Sequence, residues 1–358
     1  MAMLNKKRVV VGMSGGVDSS VAAYLLKQDG YEVIGATMQI WQDAPPECLD
    51  DGGSVSAVTD AHLVAQKLGI PFYVLNFKMG FKNKVIDYFI NEYLDGKTPN
   101  PCIACNKNVK WESLLQKSSQ LGADYIATGH YARVVQINGR YTLKQSASAA
   151  KDQTYVLYPL TQYQLSKTLM PCGNYTKDEI RAIAKEIGLS VADKKDSQEI
   201  CFIPDNDYNN YIKQNSGVDI NPGNFVDCDG NILGRHKGIP YYTVGQRKGL
   251  GIAFGKPLFV SKINASENEI VLSGNDGLFS DKLSVGSLNF MKLSQINSET
   301  HAFGKIRYAH KLSPCKIKMA GNILDCTFDT PQRAAAPGQA AVFYDDEGHI
   351  LCGGDILG

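Results

Sequence analysis

A glycine-rich turn between a predicted strand and a predicted helix constrains this chain more than any other feature. The turn reads GMSGGVDSS over residues 12–20, after the apolar strand Arg8–Gly12 and before a helical apolar pattern at residues 19–28. Glycines allow backbone N–H groups to approach an anion, and the helix N-terminus adds a partial positive charge. We therefore predict a phosphate site here, with an ordinary tight turn as the alternative.

The turn fits neither of the two commonest phosphate-binding patterns. It lacks the Lys-Ser/Thr ending of a Walker loop, and its glycine spacing differs from the dinucleotide fingerprint. The form SGGVDS instead resembles the loop of ATPases that split ATP into AMP and pyrophosphate. That resemblance implies that the loop holds the leaving pyrophosphate and that an acid such as Asp18 helps to place Mg²⁺.

The first half of the sequence alternates short apolar strands with amphipathic helices. The predicted strands lie at residues 8–12, 33–38, 72–77 and 125–128, and the predicted helices at residues 19–28, 61–68 and 107–121. Such alternation predicts an open α/β sheet of parallel strands, which binds ligands at the carboxyl ends of its strands. Residues 41–58, rich in Pro, Gly and Asp, break the pattern, and we interpret them as a loop excursion.

Two further sequence patterns follow the α/β alternation along the chain. A short helical section begins near residue 165 and contains an amphipathic helix at residues 178–187, with Thr176 as its N-cap. After residue 221, short alternating strands are separated by Gly, Asn and Asp turns. This texture predicts a small β-barrel or a sandwich. We thus expect a multidomain chain of class α/β plus β.

Composition limits the cellular compartment of the protein and the way in which it can bind a charged partner. The 358 residues suffice for two or three domains, and 37 Lys and Arg against 36 Asp and Glu leave a net charge of +1. A polyanion must therefore be bound by a local basic face. No apolar stretch reaches the length of a membrane span, and the first residues do not follow a signal-peptide pattern. Nine cysteines, an odd number, predict mostly reduced thiols, many of them buried, in a soluble cytoplasmic protein.

Two cysteine segments can carry chemistry. Cys102 and Cys105 form a C-x-x-C pair in TPNPCIACN at residues 98–106, just before the predicted helix at residues 107–121. A thiol near a helix N-terminus should have a lowered pKa and a more reactive thiolate. The pair alone fits a redox couple, half a zinc site, iron–sulfur ligands or two structural cysteines. Cys201, in DSQEICFIP at residues 196–204, would by default be a buried structural cysteine.

Taken together, eight ordered segments resemble the tRNA-specific 2-thiouridylases over nearly the whole chain. They are GMSGGVDSS, TPNPCIACN, ATGHYAR, KDQTYVLY, DSQEICFIP, GIPYYTVGQRKGLGI, KIRYAH and PGQAAVFYDDEG. The resemblance implies ATP-dependent transfer of sulfur to C2 of the wobble uridine (position 34) of tRNA. It also implies an ATP-binding catalytic domain at residues 1–165, a central tRNA-contacting domain at residues 166–250 and a C-terminal β-barrel at residues 251–358. The Cys201 loop of the central domain would return to the active site.

The resemblance also assigns roles to single residues. Cys105 matches the nucleophile and Cys201 the cysteine that carries the persulfide, so a Cys105–Cys201 disulfide is implied after sulfur transfer. The residues implied in ATP binding are Gly12, Met13, Ser14, Gly15, Gly16, Val17, Asp18, Ser19, Met38 and Gly129. Those implied in contact with tRNA are Asn100, Pro101, Cys102, His130, Lys151, Asp152, Gln153, Arg307, Tyr308 and Gln339.

One departure from the family pattern concerns Cys102, where the commoner motif has Asp. This departure argues against a carboxylate role at the position and adds a third thiol. The expected cofactors are ATP and Mg²⁺, and the expected partners are tRNA and a protein that donates persulfide sulfur. A [4Fe–4S] cluster held by Cys102, Cys105 and Cys201 is the alternative to persulfide chemistry, and we favour the persulfide.

A basic stretch near the C-terminus fits an RNA partner. Residues 301–320 contain no Asp or Glu, and their Lys and Arg residues are Lys305, Arg307, Lys311, Lys316 and Lys318. Such a stretch can bind phosphates, or it can be the solvated face of a barrel. Two other functions stay open at this point. One is a pyrophosphatase-loop synthetase that adenylates a small substrate, and the other is a non-catalytic RNA-binding protein with a degenerate ATP site.

Overall fold

The chain folds into two compact units, each of which draws on separated stretches of the sequence. The computed structural model describes residues 6–40, 57–194, 200–203, 205–252 and 255–358. The first unit comprises Met1–Lys84, Ile103–Gln198 and Glu347–Ile350. The second unit comprises Val85–Cys102, Glu199–Asp346 and Leu351–Gly358.

The chain up to residue 194 contains most of the helices and all the strands of the parallel sheet. Its elements are β1 (Arg8–Gly12), α1 (Val17–Gln28), β2 (Glu32–Gln39), α2 (Ala57–Leu68), β3 (Phe72–Asn76), α3 (Lys78–Phe81), α4 (Asp87–Leu94), α5 (Pro101–Cys105), α6 (Leu114–Gln120), β4 (Tyr125–Ala127), β5 (Ala132–Ile137), β6 (Arg140–Gln145), α7 (Thr154–Leu157), α8 (Gln162–Ser166), β7 (Thr168–Leu169) and α9 (Lys177–Glu186). π-Helical turns at Lys82–Ile86 and Asn106–Ser113 join α3 to α4 and α5 to α6.

A five-stranded parallel sheet, with the strand order β3-β2-β1-β4-β7, organises the first unit. The central strand β1 pairs with β2 on one side and with β4 on the other, so that Val11 lies between Gly35 and Ala127. Val9 and Val10 are fully buried, because a central parallel strand is covered on both faces. Strands that follow β1 in the chain lie on both sides of it, and this reversal creates the crevice where open α/β sheets bind ligands. The predicted parallel α/β sheet is confirmed.

The remaining elements belong to the second unit and are almost all strands. They are α10 (Tyr208–Asn215), β8 (Gly223–Val226), β9 (Ile232–His236), β10 (Phe259–Asn264), β11 (Glu269–Ser273), β12 (Phe279–Phe290), β13 (Thr300–Lys305), β14 (Ser313–Ala320), β15 (Ile323–Arg333), β16 (Ala340–Tyr344) and β17 (Ile350–Ile356). A small mixed sheet has the order β10-β11-β8-β9, and a closed barrel has the order β12-β15-β14-β13-β16-β17.

The barrel follows from the alternation along its strands. On β14, Cys315 and Ile317 are buried, whereas Lys316 and Lys318 between and beyond them are exposed. Period-two alternation turns every second side chain into the barrel interior. The C-terminal texture is therefore a closed barrel and not a sandwich, as the family resemblance implied.

Two local features differ from the sequence prediction. The helix expected from residue 107 begins earlier, at Pro101, because proline is preorganised for a first helical position and the Asn100 side chain accepts a hydrogen bond from the Cys102 N–H (3.2 Å). The hairpin of β5 and β6 was not predicted. Its turn contains Asn138 and Gly139, both with positive φ (50° and 80°), as a two-residue hairpin loop requires.

Two further expectations concern a loop and membrane-spanning segments. The loop excursion expected at residues 41–58 lies outside the described residues up to position 56, and α2 occupies the two positions after it. Among the helices that the structure describes, none combines the length and apolar character that crossing a membrane would need.

Candidate functional site

The turn after β1 has the geometry of an anion-binding loop. Gly16 is the N-cap of α1 and has an extended backbone, and no side chain of the described residues caps this helix end. The loop is held internally, since the Ser14 N–H donates to Ser19 Oγ (3.1 Å) and the Ser20 hydroxyl donates to the Gly16 carbonyl (2.8 Å). The positive end of α1 therefore faces the crevice beside β1, where N–H groups can bind an anion.

Two glycines allow the chain to pack closely around this loop. Gly15 has a φ of +69°, and a Cβ atom there would lie 2.3 Å from the carbonyl oxygen of Ala57. Gly129 follows β4, and a Cβ atom there would lie 2.6 Å from both the Asp18 carbonyl carbon and the Ser19 nitrogen. The segment after β4 thus lies against the first turn of α1. Neither glycine can be replaced without a shift of the backbone.

The residues expected to bind ATP are therefore brought to one end of the sheet. Met38 lies near the end of β2, with its methyl group 3.8 Å from the Cβ position of Gly12 at the end of β1. Met13 and Val17 are buried in the core of the first unit. These two residues can offer only their backbone to a ligand, whereas Ser14 is exposed at the tip of the loop.

Asp18, the acid of the loop, is held by two side chains of the first unit. Lys177 Nζ donates to both carboxylate oxygens, at 2.7 Å and 2.8 Å, and the Tyr131 hydroxyl donates to Oδ1 at 2.7 Å. Lys177 is only 8 % exposed. The Cys172 thiol donates to the Asp18 carbonyl (3.3 Å), and burial raises the pKa of Cys172, which makes this thiol structural.

A second lysine fastens the loop from the same part of the chain. Lys194 Nζ donates to the Gly15 carbonyl (3.1 Å) and to Asp60 Oδ2 (2.6 Å). Sequence reasoning missed both lysines. The available signal was the placement of Lys177 at the first position of α9, where the helix dipole favours an acid over a base.

The C-x-x-C pair lies on a short helix that continues into a π-helical turn. Cys102 is exposed and Cys105 is buried, and their i, i+3 spacing places them on one side of α5. Asn106 is buried and donates from Nδ2 to the Val156 carbonyl at 2.9 Å. π-Helical turns often occur at functional sites. The π-helical turn at Asn106–Ser113 directly follows Cys105, and this position suits the chemical role expected of that thiol.

Cys201 is presented differently. It is exposed in the second unit, next to the buried Phe202. The Phe202 ring packs edge-on against Phe89 (5.5 Å between centroids) and also contacts Tyr211 (5.4 Å). The expectation of a buried structural cysteine, drawn from the segment alone, is wrong, because Phe202 and not Cys201 anchors this stretch.

Comparison with known proteins shows the family of the chain. Residues 7–205 match the family model described as the tRNA methyl transferase HUP domain, residues 209–274 its PRC-barrel domain and residues 280–356 the aminomethyltransferase beta-barrel domain. The tRNA-specific 2-thiouridylase MnmA of Lachnoclostridium phytofermentans is 60% identical over 356 residues, 98% of this chain and 99% of the relative. The corresponding protein of Clostridioides difficile is 56% identical over 359 residues, 99% of each chain. The chain belongs to the tRNA-specific 2-thiouridylase family.

A more distant likeness concerns a solved structure. A 4-thiouridine synthetase in complex with RNA and bound ATP is 19% identical and covers 58% of this chain and 50% of its own, with a TM-score of 0.33. At this distance the likeness adds nothing to the family assignment.

The 2-thiouridylase positions expected to contact tRNA in the first unit are largely engaged with the protein itself. His130 pairs through Nδ1 with the Thr128 hydroxyl (2.7 Å), and burial, aided by Lys110, lowers its pKa well below the usual value. Asp152 accepts from the Ser146 N–H (3.0 Å). Gln153 Oε1 accepts from the Tyr131 N–H (2.9 Å), and Lys151 is half-buried beside these residues.

In the second unit the 2-thiouridylase positions divide into two groups. Gln339 Nε2 donates to the Thr98 carbonyl (2.9 Å), and thereby holds the chain just before the expected target-base segment of Asn100, Pro101 and Cys102. Arg307 donates to the carbonyls of Val244 and Ala334. Tyr308, in contrast, is 44% exposed, with Lys305 Nζ 5.5 Å from its ring centroid. Of Arg307, Tyr308 and Gln339, Tyr308 is therefore the exposed one.

The closeness of Gly129 to α1 generates a direct test of the loop. Gly129→Ala should weaken the binding of inorganic pyrophosphate by about tenfold or more, because the added methyl group must displace the backbone of the first turn of α1. Gly80→Ala is the matched control, since no atom lies within 4 Å of a Cβ at that position. Calorimetric titration measures both. Wild-type affinity in Gly129→Ala would mean that the anion binds elsewhere.

Proposed function

We propose that this chain catalyses the ATP-dependent 2-thiolation of the wobble uridine of tRNA. The observation that carries the proposal is the similarity, over 98% of the chain at 60% identity, to a protein named tRNA-specific 2-thiouridylase. The geometry of the first unit supports it, because the N-terminus of α1, which no side chain caps, lies at the crevice of the parallel sheet.

The loop suits the activation of a carbonyl oxygen. The C2 oxygen of uracil is a poor leaving group, and transfer of the AMP moiety of ATP to this oxygen converts it into a good one. Pyrophosphate leaves in the same step and needs a site for its negative charge. Loop residues 12–20, with the positive end of α1 behind them, provide such a site.

Two thiols suffice for the sulfur transfer that follows. The terminal sulfur of a persulfide on Cys201 attacks C2, and the C2–O bond breaks as AMP leaves. The Cys105 thiolate then attacks the Cys201 sulfur, and the electron pair of the S–S bond passes to the sulfur on C2. The products are 2-thiouridine and a Cys105–Cys201 disulfide, which an external dithiol reduces. A persulfide-donating protein reloads Cys201.

The name of the matching family model, methyl transferase, suggests a different reaction. Methyl transfer does not require a loop that binds pyrophosphate, and it would leave the exposed Cys201 without a role. Mass spectrometry of tRNA nucleosides after incubation with ATP, tRNA and a persulfide donor separates the two, since thiolation exchanges oxygen for sulfur and methylation adds carbon. ATP–pyrophosphate exchange with and without tRNA distinguishes both from a small-molecule synthetase.

The described side chains bear on whether the protein itself holds Mg²⁺. Among the side chains that the structure describes, no three of His, Cys, Asp and Glu are grouped so as to hold a metal ion. Both carboxylate oxygens of Asp18 accept hydrogen bonds from Lys177. Lys177 therefore competes with Mg²⁺ for Asp18, which argues against the expected placement of Mg²⁺ by this residue, and the proposed steps assign no role to a protein-bound metal.

Two cysteine variants test the sulfur pathway. Cys105→Ser and Cys201→Ser should each abolish thiolation while ATP binding stays near wild type, because neither thiol belongs to the loop. Cys228→Ser, another exposed cysteine of the second unit, is the matched control and should retain activity. Nucleoside mass spectrometry gives the thiolation and calorimetry the ATP affinity. Repeated turnover by Cys105→Ser would refute the two-thiol scheme.

Cys102 separates the persulfide scheme from an iron–sulfur cluster. With a persulfide donor, Cys102→Ala should remain active, because an exposed third thiol has no task in the two-thiol pathway. Anaerobically purified wild-type protein should contain no stoichiometric iron or acid-labile sulfide. Iron at about four per chain, as a [4Fe–4S] cluster requires, together with loss of activity in Cys102→Ala, would establish the cluster instead.

The salt dependence of tRNA binding tests the basic stretch at residues 301–320 of the second unit. Lys305→Gln combined with Lys311→Gln should weaken tRNA binding and reduce the log–log salt slope by roughly 1.5 units, because two phosphate contacts are lost. Arg307 is left intact, since it also holds two backbone carbonyls. Lys262→Gln combined with Lys282→Gln removes the same charge from exposed positions of the same unit. Equal slopes in the two double variants would assign Lys305 and Lys311 to a solvated surface.

A further inference from the structure

An acid inside an anion-binding loop poses an electrostatic problem. Asp18 lies in the first turn of α1, and its negative charge would repel the phosphates that this helix end attracts. We propose that Lys177 is the built-in countercharge of Asp18, which keeps the loop receptive to pyrophosphate and leaves Asp18 a positioning residue and not a metal ligand. The inference rests on the proposed binding of pyrophosphate at this loop.

The contacts of Lys177 commit its charge to Asp18. Its ammonium group donates to both carboxylate oxygens, at 2.7 Å and 2.8 Å, and its side chain is 9% exposed. The Tyr131 ring lies 5.9 Å from Nζ, and the Tyr131 hydroxyl donates to Asp18 Oδ1. Together these contacts occupy three of the roughly four acceptor positions of the carboxylate, and the ammonium group offsets the charge that would attract a metal ion.

The position of Lys177 in its own helix points to the same conclusion. Thr176 and Glu179 form a capping box at the start of α9, and Lys177 is the first residue of that helix. A base at this position opposes the helix dipole, and burial adds a desolvation cost. Asp18 offsets both, since it brings a negative charge to the positive end of α9. The pair thus joins the positive ends of two helices, α1 and α9, through one ion pair.

Because Lys177 offsets the negative charge of Asp18, the loop as a whole attracts anions. Backbone N–H groups and the end of α1 attract the anion, and the ion pair contributes no net charge. The other lysine at the loop, Lys194, also has an acidic partner, Asp60, but it is more exposed and donates to only one carboxylate oxygen, at 2.6 Å.

The sign of two single substitutions tests this proposal. Calorimetric titration of the full-length chain with inorganic pyrophosphate, in EDTA and again in excess Mg²⁺, supplies the affinities. Lys177→Gln should weaken binding by about tenfold, because it exposes the charge of Asp18 to the anion. Asp18→Asn should strengthen binding, with or without Mg²⁺, because it leaves the lysine charge. The double variant Asp18→Asn/Lys177→Gln should return close to wild type.

Two further variants keep the test decisive. Lys185→Gln, on the same helix but in an exposed pair with Asp193, is the matched control and should bind as wild type does. Lys177→Arg retains the charge and should preserve binding if Lys177→Gln fails to fold. In that event the sign of Asp18→Asn alone decides, since this change preserves the side-chain shape.

Contrary results point to identifiable alternatives. Weaker binding by Asp18→Asn in Mg²⁺ but not in EDTA would make Asp18 a metal ligand and overturn the proposal. Weaker binding by both single variants, without recovery in the double variant, would make the pair merely structural. Wild-type protein that binds neither pyrophosphate nor ATP would overturn the proposed function together with this inference.

Discussion

The close approach of Gly129 to the first turn of α1 is the constraint on which the candidate site depends. It exists because β1 lies between β2 and β4, so that the helix leaving β1 and the chain leaving β4 meet at the same edge of the sheet. A Cβ atom on Gly129 would lie 2.6 Å from the backbone of Asp18 and Ser19. The candidate anion site is therefore a consequence of strand order, and the glycines of the loop only make it accessible.

The sequence predicted the parts of the fold that depend on local patterns. The three consecutive valines of β1 indicate a strand buried on both faces, and the alternation at Cys315 to Lys318 indicates a strand with one face inward. The hairpin at Asn138 and Gly139 was also readable, because both residues suit a turn with positive φ. The early start of α5 at Pro101 could have been read in the same way.

Contacts between distant parts of the chain could not be predicted in this way. Asp18 and Lys177 are separated by 159 residues, and no periodicity or motif spacing connects them. A similar limit applies to Gln339 and Arg307, which the family resemblance associates with tRNA. Their side chains hold backbone carbonyls within the second unit. Amide and guanidinium groups serve RNA and protein carbonyls equally well, so residue type alone does not separate the two roles.

The two thiols of the proposed reaction differ in exposure in a way that suits their different tasks. Cys201 is exposed beside the anchored Phe202, and a thiol that is reloaded by another protein must be accessible to it. Cys105 is 8% exposed, on a helix whose next residue, Asn106, is fixed by its amide. A thiol that must cleave the persulfide only after C2 has been attacked benefits from such enclosure, since an exposed one would intercept the donor's sulfur or release the persulfide too early. The exposed Cys102, three residues before Cys105, is open to such a side reaction. In the proposed scheme, the donor must therefore deliver the incoming sulfur to Cys201 and not to Cys102.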